Sequence, residues 1–170
     1  MTSSTPLNIT VITVSDTRTE ETDKSGDLLV QRAKAAGHNL LGKIIVKDDV
    51  YQLRSVVSQQ IADPQVNAIL MTGGTGFTAR DNTPKAISPL FDVDIVGFGE
   101  LFRQLSFEEI QSSTIQSRAF AGLANGPIVF CVPGSPGACE TAWDRIIAEQ
   151  LSSEHKPCNF VDKLLVDKNS

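Results

Sequence analysis

A short apolar stretch that ends in a cluster of glycines constrains the fold of this chain most strongly. The stretch runs from Val66 to Thr72 and is closed by Gly73, Gly74 and Gly76. Nearly continuous apolar runs of this length are typical of strands buried on both faces of a parallel sheet. Glycines after such a strand let the backbone turn sharply and approach a ligand, so that its amides can point at an anion. The sequence therefore predicts a site for a phosphorylated ligand at the end of this strand.

Apolar β-branched runs alternate with segments of helical spacing along most of the chain. Strands are predicted at 9–14, 40–46, 66–72, 119–124 and 127–132, the last two joined by an Asn125-Gly126 hairpin. Helices are predicted at 25–36 with Ser25 as cap, at 50–61, from Thr83-Pro84, at 98–110, and after Gly137. This alternation predicts an α/β fold, a three-layer sandwich with a mostly parallel central sheet. We expect one domain over residues 7–151 and an extended C-terminal segment over 152–170.

Composition and charge exclude several classes of function. The 170 residues carry a formal net charge of −5, which argues against general nucleic-acid binding. No apolar run approaches the roughly 20 residues that a membrane-spanning helix needs, and residues 1–5 lack the features of a secretory signal. We therefore expect a cytoplasmic protein that contacts neither nucleic acid nor membrane. Cys131 is predicted to be a buried thiol, and Phe98, Phe102 and Phe107 are predicted to lie in the core.

Polar or glycine-rich segments follow four of the predicted strands. Ligands of open α/β sheets bind beyond the carboxyl ends of the strands, so these four segments are expected to converge at one edge. They are Ser15-Asp16, Asp48-Asp49, Gly73 to Asp81, and Pro133-Gly134-Ser135-Pro136-Gly137. Asp48 and Asp81, at neighbouring strand ends, could hold hydrated Mg²⁺ against phosphate oxygens, with Asp16 as a third candidate.

Each of these features also has a simpler interpretation. Asp81 could cap the following helix or pair with Arg80, Asp48 could be a surface acid, and Ser135 could be only a helix cap. Residues 74–79 fit the G-x-G-x-x-A pattern of dinucleotide sites, but residues 80–84 separate the glycines from the next helix. Among basic residues near the site, Arg80, Lys85, Arg103 and Arg118 are interpreted as solvated surface groups.

Several motifs together resemble a known family, the molybdopterin-binding domain. The resemblance covers residues 7–160 and rests on the glycine loop with the Arg80-Asp81-Asn82-Thr83-Pro84 run, Gly97-Phe98-Gly99-Glu100, Ser117-Arg118, and the Pro133 to Gly137 segment. The residues 102–110 and 157–160 add to it.

This resemblance implies an α/β sandwich that assembles as trimers or hexamers, and a specific chemistry. Active members transfer AMP from Mg-ATP to molybdopterin and release pyrophosphate. The family's two important acids correspond to Asp48 and Asp81, which would be catalytic and would hold Mg²⁺. Its ligand-binding positions correspond to Ser15, Asp16, Gly73, Gly74, Thr75, Gly76, Pro133, Gly134, Ser135, Pro136 and Gly137. Two alternatives remain at this point: a protein that binds molybdopterin without chemistry, and a nicotinamide-dependent oxidoreductase.

Overall fold

A six-stranded sheet forms the centre of the computed structural model, which describes residues 4–166. The strand order is β2-β1-β3-β6-β5-β4, and the first four strands in that order are mutually parallel. The two remaining pairs, β5 with β6 and β4 with β5, are antiparallel. The strands are β1 (Asn8–Val14), β2 (Asn39–Val46), β3 (Ala68–Thr72), β4 (Val93–Asp94), β5 (Phe120–Leu123) and β6 (Ile128–Val132). The predicted mostly parallel sheet is confirmed.

Helices cover both faces of this sheet and give the predicted three layers. They are α1 (Lys24–Ala35), α2 (Val50–Ala62), α3 (Thr83–Ile87), α4 (Val96–Ile110), α5 (Pro136–Ala142), α6 (Ala148–Gln150) and α7 (Val161–Leu164). A π-helical turn, Trp143–Ile147, links α5 to α6, and 3-10 turns occupy Ser88–Leu90 and Gln111–Gln116.

Alternate side chains of the strands enter two separate cores, one on each face. On one face Val11, Leu70 and Phe130 pack with residues of α1, α4 and α5. On the other face Ile12 and Met71 pack with residues of α2 and α3. Because both faces of β1, β3 and β6 are buried, these strands are nearly continuous apolar runs, which is why the sequence identified them.

The start of α1 differs from the prediction. Asp23, not Ser25, is the N-cap, and its carboxylate accepts a hydrogen bond from the Gly26 amide at 3.0 Å. Ser25 lies inside the helix, where its hydroxyl donates to the Gly134 carbonyl at 2.7 Å. The helix ends as predicted before Gly37, whose φ of +89° suits glycine.

The hairpin predicted at Asn125-Gly126 joins β5 to β6. Both residues have positive φ angles, +53° and +108°, as the tight turn between antiparallel strands requires. The two-residue strand β4 was not predicted, because it is too short to show a period of its own.

Two predictions near the surface are wrong. Phe107 lies on the outer side of α4 and is 51% exposed, whereas Phe98 and Phe102 are buried as predicted. The segment after Leu151 is not extended throughout, because α7 buries Val161 and Leu164 against the core. Within residues 4–166, the helices are too short or too polar to span a membrane.

Candidate functional site

The segments after β1, β3 and β6 converge on one cavity of about 610 Å³ at the predicted edge of the sheet. Of the predicted ligand-binding residues, Ser15, the Gly73 to Gly76 loop and residues 133–136 line this cavity, together with Asp81. Asp16, Asp48 and Gly137 are not among the lining residues. Side chains that line the cavity but were not predicted as site residues are Val14, Arg18, Phe102, Ser106, Ile110, Ser113, Gln116, Ser117 and Ala138.

The glycine loop needs glycine at its first two positions. Gly73 and Gly74 have φ angles of +106° and +71°, which are unfavourable for other residues. A Cβ atom on Gly73 would lie 2.3 Å from the Val14 carbonyl oxygen, and one on Gly74 would lie 2.2 Å from Thr83 Oγ1. Thr83 in turn donates its hydroxyl to the Gly73 carbonyl at 2.8 Å. The loop is therefore packed tightly between β1 and the start of α3.

Arg118 holds the loop from the other side, and its interpretation as a solvated surface group is wrong. Its guanidinium donates hydrogen bonds to the carbonyls of Thr75, Gly76 and Asp81, and its backbone amide also donates to Thr75. The ring of Phe77 lies 4.7 Å from the guanidinium carbon. Arg103 is likewise bonded to a backbone carbonyl, that of Ala119, at 3.0 Å.

Asp81 lies on the cavity wall beside Gly76. It neither caps α3, whose N-cap is Asn82, nor pairs with Arg80. Its Oδ2 accepts hydrogen bonds from the Thr78 amide at 2.9 Å and the Thr78 hydroxyl at 2.6 Å. Burial raises the pKa of Asp81, but these hydrogen bonds, one from Gly76 and the charge of Arg118 outweigh it, so the pKa lies below its ordinary value. Asp81 is therefore ionised at neutral pH.

Asp48 is buried behind the loop, so the surface-acid interpretation does not apply. It is 5% exposed, and its Oδ1 accepts the Asn82 amide hydrogen bond at 2.9 Å. A Cβ atom on Gly74 would lie 2.9 Å from Asp48 Oδ2. Burial raises the pKa of Asp48, and the charges of Asp81 and Asp16 raise it further, although hydrogen bonds from Asn82 oppose them. Asp48 follows β2, which β1 separates from β3, so the two acids do not follow adjacent strands.

Asp16 forms a bidentate ion pair with Arg80, and neither residue lines the cavity. Arg80 donates to both carboxylate oxygens of Asp16, at 2.9 and 2.8 Å, and Asp16 also accepts the backbone amide of Asp48 at 3.1 Å. The hydrogen bond from Arg80 is the main cause of the lowered pKa of Asp16. This pair links the end of β1 to the segment before α3.

The segment after β6 forms the opposite wall. The Ser135 hydroxyl oxygen accepts the Ala138 amide hydrogen bond at 3.2 Å, so Ser135 does cap α5, but it also lines the cavity. The Gly134 carbonyl accepts hydrogen bonds from Ser25 and from Arg18. Ser15 Oγ accepts the Arg18 amide at 3.0 Å, which fixes the turn after β1.

A polar and apolar wall from α4 and the following turn closes the cavity, and sequence reasoning missed it. Phe102 and Ile110 supply apolar surface, while Ser106, Ser113 and Gln116 supply hydroxyl and amide groups. These residues come from a segment that follows no parallel strand, so the strand-end rule could not identify them.

Ser117 continues this wall and is notable for its hydroxyl. Within residues 4–166, Ser117 Oγ is the one buried side-chain oxygen or nitrogen with no hydrogen-bond partner. A buried polar atom without a partner is costly, and such atoms are enriched where a ligand or ordered water completes the site. The only signal for it in the sequence was the Ser117-Arg118 motif.

The carboxylates suit a magnesium ion that is shared with a ligand. Within the described part of the chain there is no group of three or more His, Cys, Asp or Glu residues that could hold a metal alone. Mg²⁺ commonly binds through one or two carboxylates and completes its shell with phosphate oxygens and water. Asp81 lies at the cavity, whereas Asp48 is buried behind the glycine loop, where a cation would favour the charged form of its carboxyl group.

Sequence comparison identifies relatives along nearly the whole chain. Residues 10–153 match the family described as "Probable molybdopterin binding domain". Molybdenum cofactor biosynthesis protein B of Escherichia coli (strain K12) is 52% identical over 155 residues, which are 91% of each chain. The protein of the same name from Bacillus subtilis (strain 168) is 48% identical over 143 residues, or 84% of each chain.

Comparison with solved structures agrees with the sequence comparison. A crystal structure of molybdenum cofactor biosynthesis protein B superimposes with a TM-score of 0.85 at 44% identity, covering 88% of this chain and 94% of that one. The tungsten cofactor synthesizing protein MoaB from Pyrococcus furiosus superimposes with a TM-score of 0.76 at 36% identity, covering 85% and 92%.

Proposed function

The chain belongs to the molybdopterin-binding domain family of molybdenum cofactor biosynthesis, and we propose that it transfers AMP from Mg-ATP to bound molybdopterin. The observation that carries the proposal is the position of Asp81. An ionised carboxylate lies on the wall of a cavity of about 610 Å³, directly beside a glycine loop. A glycine loop can approach phosphate oxygens with its backbone, and the carboxylate can serve as an oxygen ligand for their counter-ion.

The proposed reaction needs no nucleophile from the protein. A terminal phosphate oxygen of molybdopterin attacks the α-phosphorus of ATP and forms a P–O–P bond. The bond from the α-phosphorus to its oxygen bridge to the β-phosphorus breaks, and pyrophosphate leaves with the electron pair. Atoms and charge balance without an added acid or base. Catalysis then depends on positioning and on stabilising the charge of the transition state.

The residues of the site divide this work. The Gly73 to Gly76 loop, which packs tightly between β1 and the start of α3, would approach the phosphates with its backbone. Asp81 and Asp48 would hold Mg²⁺, which neutralises phosphate charge when bound. Arg118 would fix the position of Asp81 relative to the loop, because its guanidinium donates hydrogen bonds to backbone carbonyls of both. Phe102 and Ile110 would exclude water from one side of the ligand.

A second candidate function is binding of molybdopterin without chemistry. The burial of Asp48 favours it, since this carboxylate is 5% exposed and is bonded to the Asn82 amide. In that case Asp48 would support the glycine loop and would not hold a metal. The two functions share one cavity and differ in whether ATP is consumed.

Replacement of Asp81 tests the proposal. We expect Asp81→Ala to leave the melting temperature unchanged and the affinity for molybdopterin within a few-fold of that of the unaltered chain. The rate of AMP transfer should fall by about 100-fold, which is the scale of losing a key electrostatic group. Asp162→Ala, an exposed acid on α7, is the matched control and should leave transfer unchanged. Pyrophosphate release and adenylylated pterin are measured together. Near-normal turnover by Asp81→Ala would contradict the assignment.

A further inference from the structure

Arg18 is the one basic side chain among the cavity-lining residues within the described range 4–166. Asp81 is the one acidic side chain among the same residues. The cavity therefore has one cationic group, at the junction of the turn after β1 with the segment after β6, and one anionic group beside the glycine loop. An anionic part of a ligand would be attracted to the first and repelled by the second.

A buried carboxylate fixes the position of Arg18. Asp23 is completely buried, and its oxygens accept hydrogen bonds from the Thr13 hydroxyl at 2.7 Å and the Gly26 amide at 3.0 Å. Lys43 Nζ lies 3.2 Å from the same carboxylate. Burial raises the pKa of Asp23, but these hydrogen bonds and Lys43 outweigh it, and the pKa is lowered. The anchor is therefore charged at neutral pH.

Arg18 contacts the Asp23 carboxylate but keeps guanidinium N–H donors available for a ligand. One guanidinium nitrogen lies 3.6 Å from Asp23 Oδ1, an ion-pair distance longer than a hydrogen bond, and another donates to the Gly134 carbonyl at 2.9 Å. A guanidinium has five N–H donors, and among residues 4–166 the Gly134 carbonyl is its one hydrogen-bond acceptor. The side chain is 30% exposed, so a ligand can reach it.

We infer that Arg18 binds a phosphate group of the ligand and so determines which end of the ligand lies at this end of the cavity. The inference rests on the proposed function for the identity of the ligands. A planar guanidinium held by a fixed carboxylate offers parallel N–H donors that match phosphate oxygens, and little side-chain freedom is lost on binding. The phosphate belongs either to molybdopterin or to ATP, and the two ligands are tested separately.

Binding measurements on Arg18 variants test this inference. Affinities for molybdopterin, dephosphorylated molybdopterin and Mg-ATP are measured by calorimetry for the unaltered chain, Arg18→Gln and Arg18→Lys. We expect Arg18→Gln to weaken at least one phosphate-bearing ligand by about 10- to 100-fold, as for a lost hydrogen bond to a charged group, with dephosphorylated molybdopterin unchanged. Arg18→Lys should be intermediate, because it keeps the charge but not the planar fork.

The control is Arg32→Gln on α1, which removes an arginine paired with Glu140 and Asp144 away from the cavity and should change none of the affinities. If Arg18→Gln lowers the affinity for molybdopterin alone, Arg18 binds the phosphate of the pterin. If it lowers the affinity for Mg-ATP alone, Arg18 binds a phosphate of the nucleotide. Unchanged affinities, or an equal loss for the dephosphorylated pterin, would overturn the inference.

Failure of the proposed function and misfolding of a variant can each be distinguished from failure of the inference on Arg18. If the unaltered chain binds no molybdopterin, the proposed function fails, while the Mg-ATP measurement still tests Arg18. If Arg18→Gln does not fold, Arg18→Lys preserves the comparison, since its charge remains opposite Asp23.

Discussion

Asp48 and Asp81 are the same residue type in opposite environments. The pKa of Asp48 is raised, mainly by burial, whereas hydrogen bonds from Thr78 and Gly76 help to lower that of Asp81. Carboxyl groups whose pKa values are separated in this way commonly have separate roles in a site. Asp81 is suited to direct contact with a cation. Burial disfavours the charged form of Asp48, and a nearby cation would favour that form.

Replacing Asp48 with asparagine tests this difference. Because the pKa of Asp48 is raised by folding, its ionisation destabilises the folded relative to the unfolded chain. This cost begins as the pH rises through the ordinary value of 3.8 and is complete above the folded-state pKa. Asp48→Asn removes the charge and keeps an oxygen that can accept the Asn82 amide. We expect urea unfolding at pH 7 to give an equal or slightly higher free energy, while AMP transfer falls by about 100-fold. Full turnover in this variant would make Asp48 a structural residue.

The residues that sequence reasoning missed share a physical cause. Arg18 was not predicted as a site residue, and only the folded chain brings it beside Gly134 and Asp23. Arg118 looked like a surface group, but the carbonyls of the glycine loop surround it. Contacts between segments that are distant along the chain leave no periodic pattern in the sequence.

Among the helices and strands, those with a regular hydrophobic period could be predicted from the sequence, whereas the very short β4 and α7 could not. β1, β3 and α2 have patterns of five or more residues, and their predicted positions agree with the structure within about two residues. β4 and α7 have two and four residues, too few for a period to appear. β4 is fixed by its pairing with β5 and α7 by packing against the core, and neither contact is visible in the sequence.

The helix α7 offers a direct test of packing at this scale. Leu164 is 5% exposed and packs against the core of one sheet face, whereas its neighbour Leu165 is 46% exposed. We expect Leu164→Ala to lower the free energy of unfolding by about 2–3 kcal/mol, since it removes buried methyl groups and leaves a cavity. Leu165→Ala should change it by less than about 0.5 kcal/mol. Equal effects in urea titrations would show that α7 does not contribute to the core.

At the scale of the whole molecule, the parallel topology made the site predictable. Once three strands run parallel, their carboxyl ends meet at one edge whatever the loops contain. Residues 15, 73–76 and 133–136 therefore converge on one cavity, while their binding of a ligand stays a prediction. The wall from α4 was not predictable in this way. Assembly as trimers or hexamers stays a prediction from the family resemblance.

Acid stability of the whole chain should depend on Asp23. Its folded-state pKa lies below the ordinary value of 3.8, so its stabilising contribution is complete above pH 3.8 and is lost as the pH falls through the folded-state value. Asp23→Asn should lower the free energy of unfolding by roughly 3–5 kcal/mol at pH 7, because it leaves buried donors and charges uncompensated. At pH 3 the difference in the free energy of unfolding between Asp23→Asn and the unaltered chain should be smaller than at pH 7.

The control for that measurement is Asp27→Asn. Asp27 contacts the same lysine at 2.8 Å, but its side chain is 51% exposed. Exposed ion pairs contribute less than about 1 kcal/mol, so the effect at pH 7 should be small. A difference for Asp23→Asn that persists undiminished at pH 3 would contradict the role given to its charge.

A turnover assay of the unaltered chain with molybdopterin and Mg-ATP labelled at the α-phosphate is the decisive experiment for AMP transfer. We expect label in the pterin product, with one pyrophosphate released for each adenylylated pterin. Tight binding of molybdopterin with no transfer of label and no pyrophosphate would contradict it, and would make the chain a molybdopterin-binding protein without this activity.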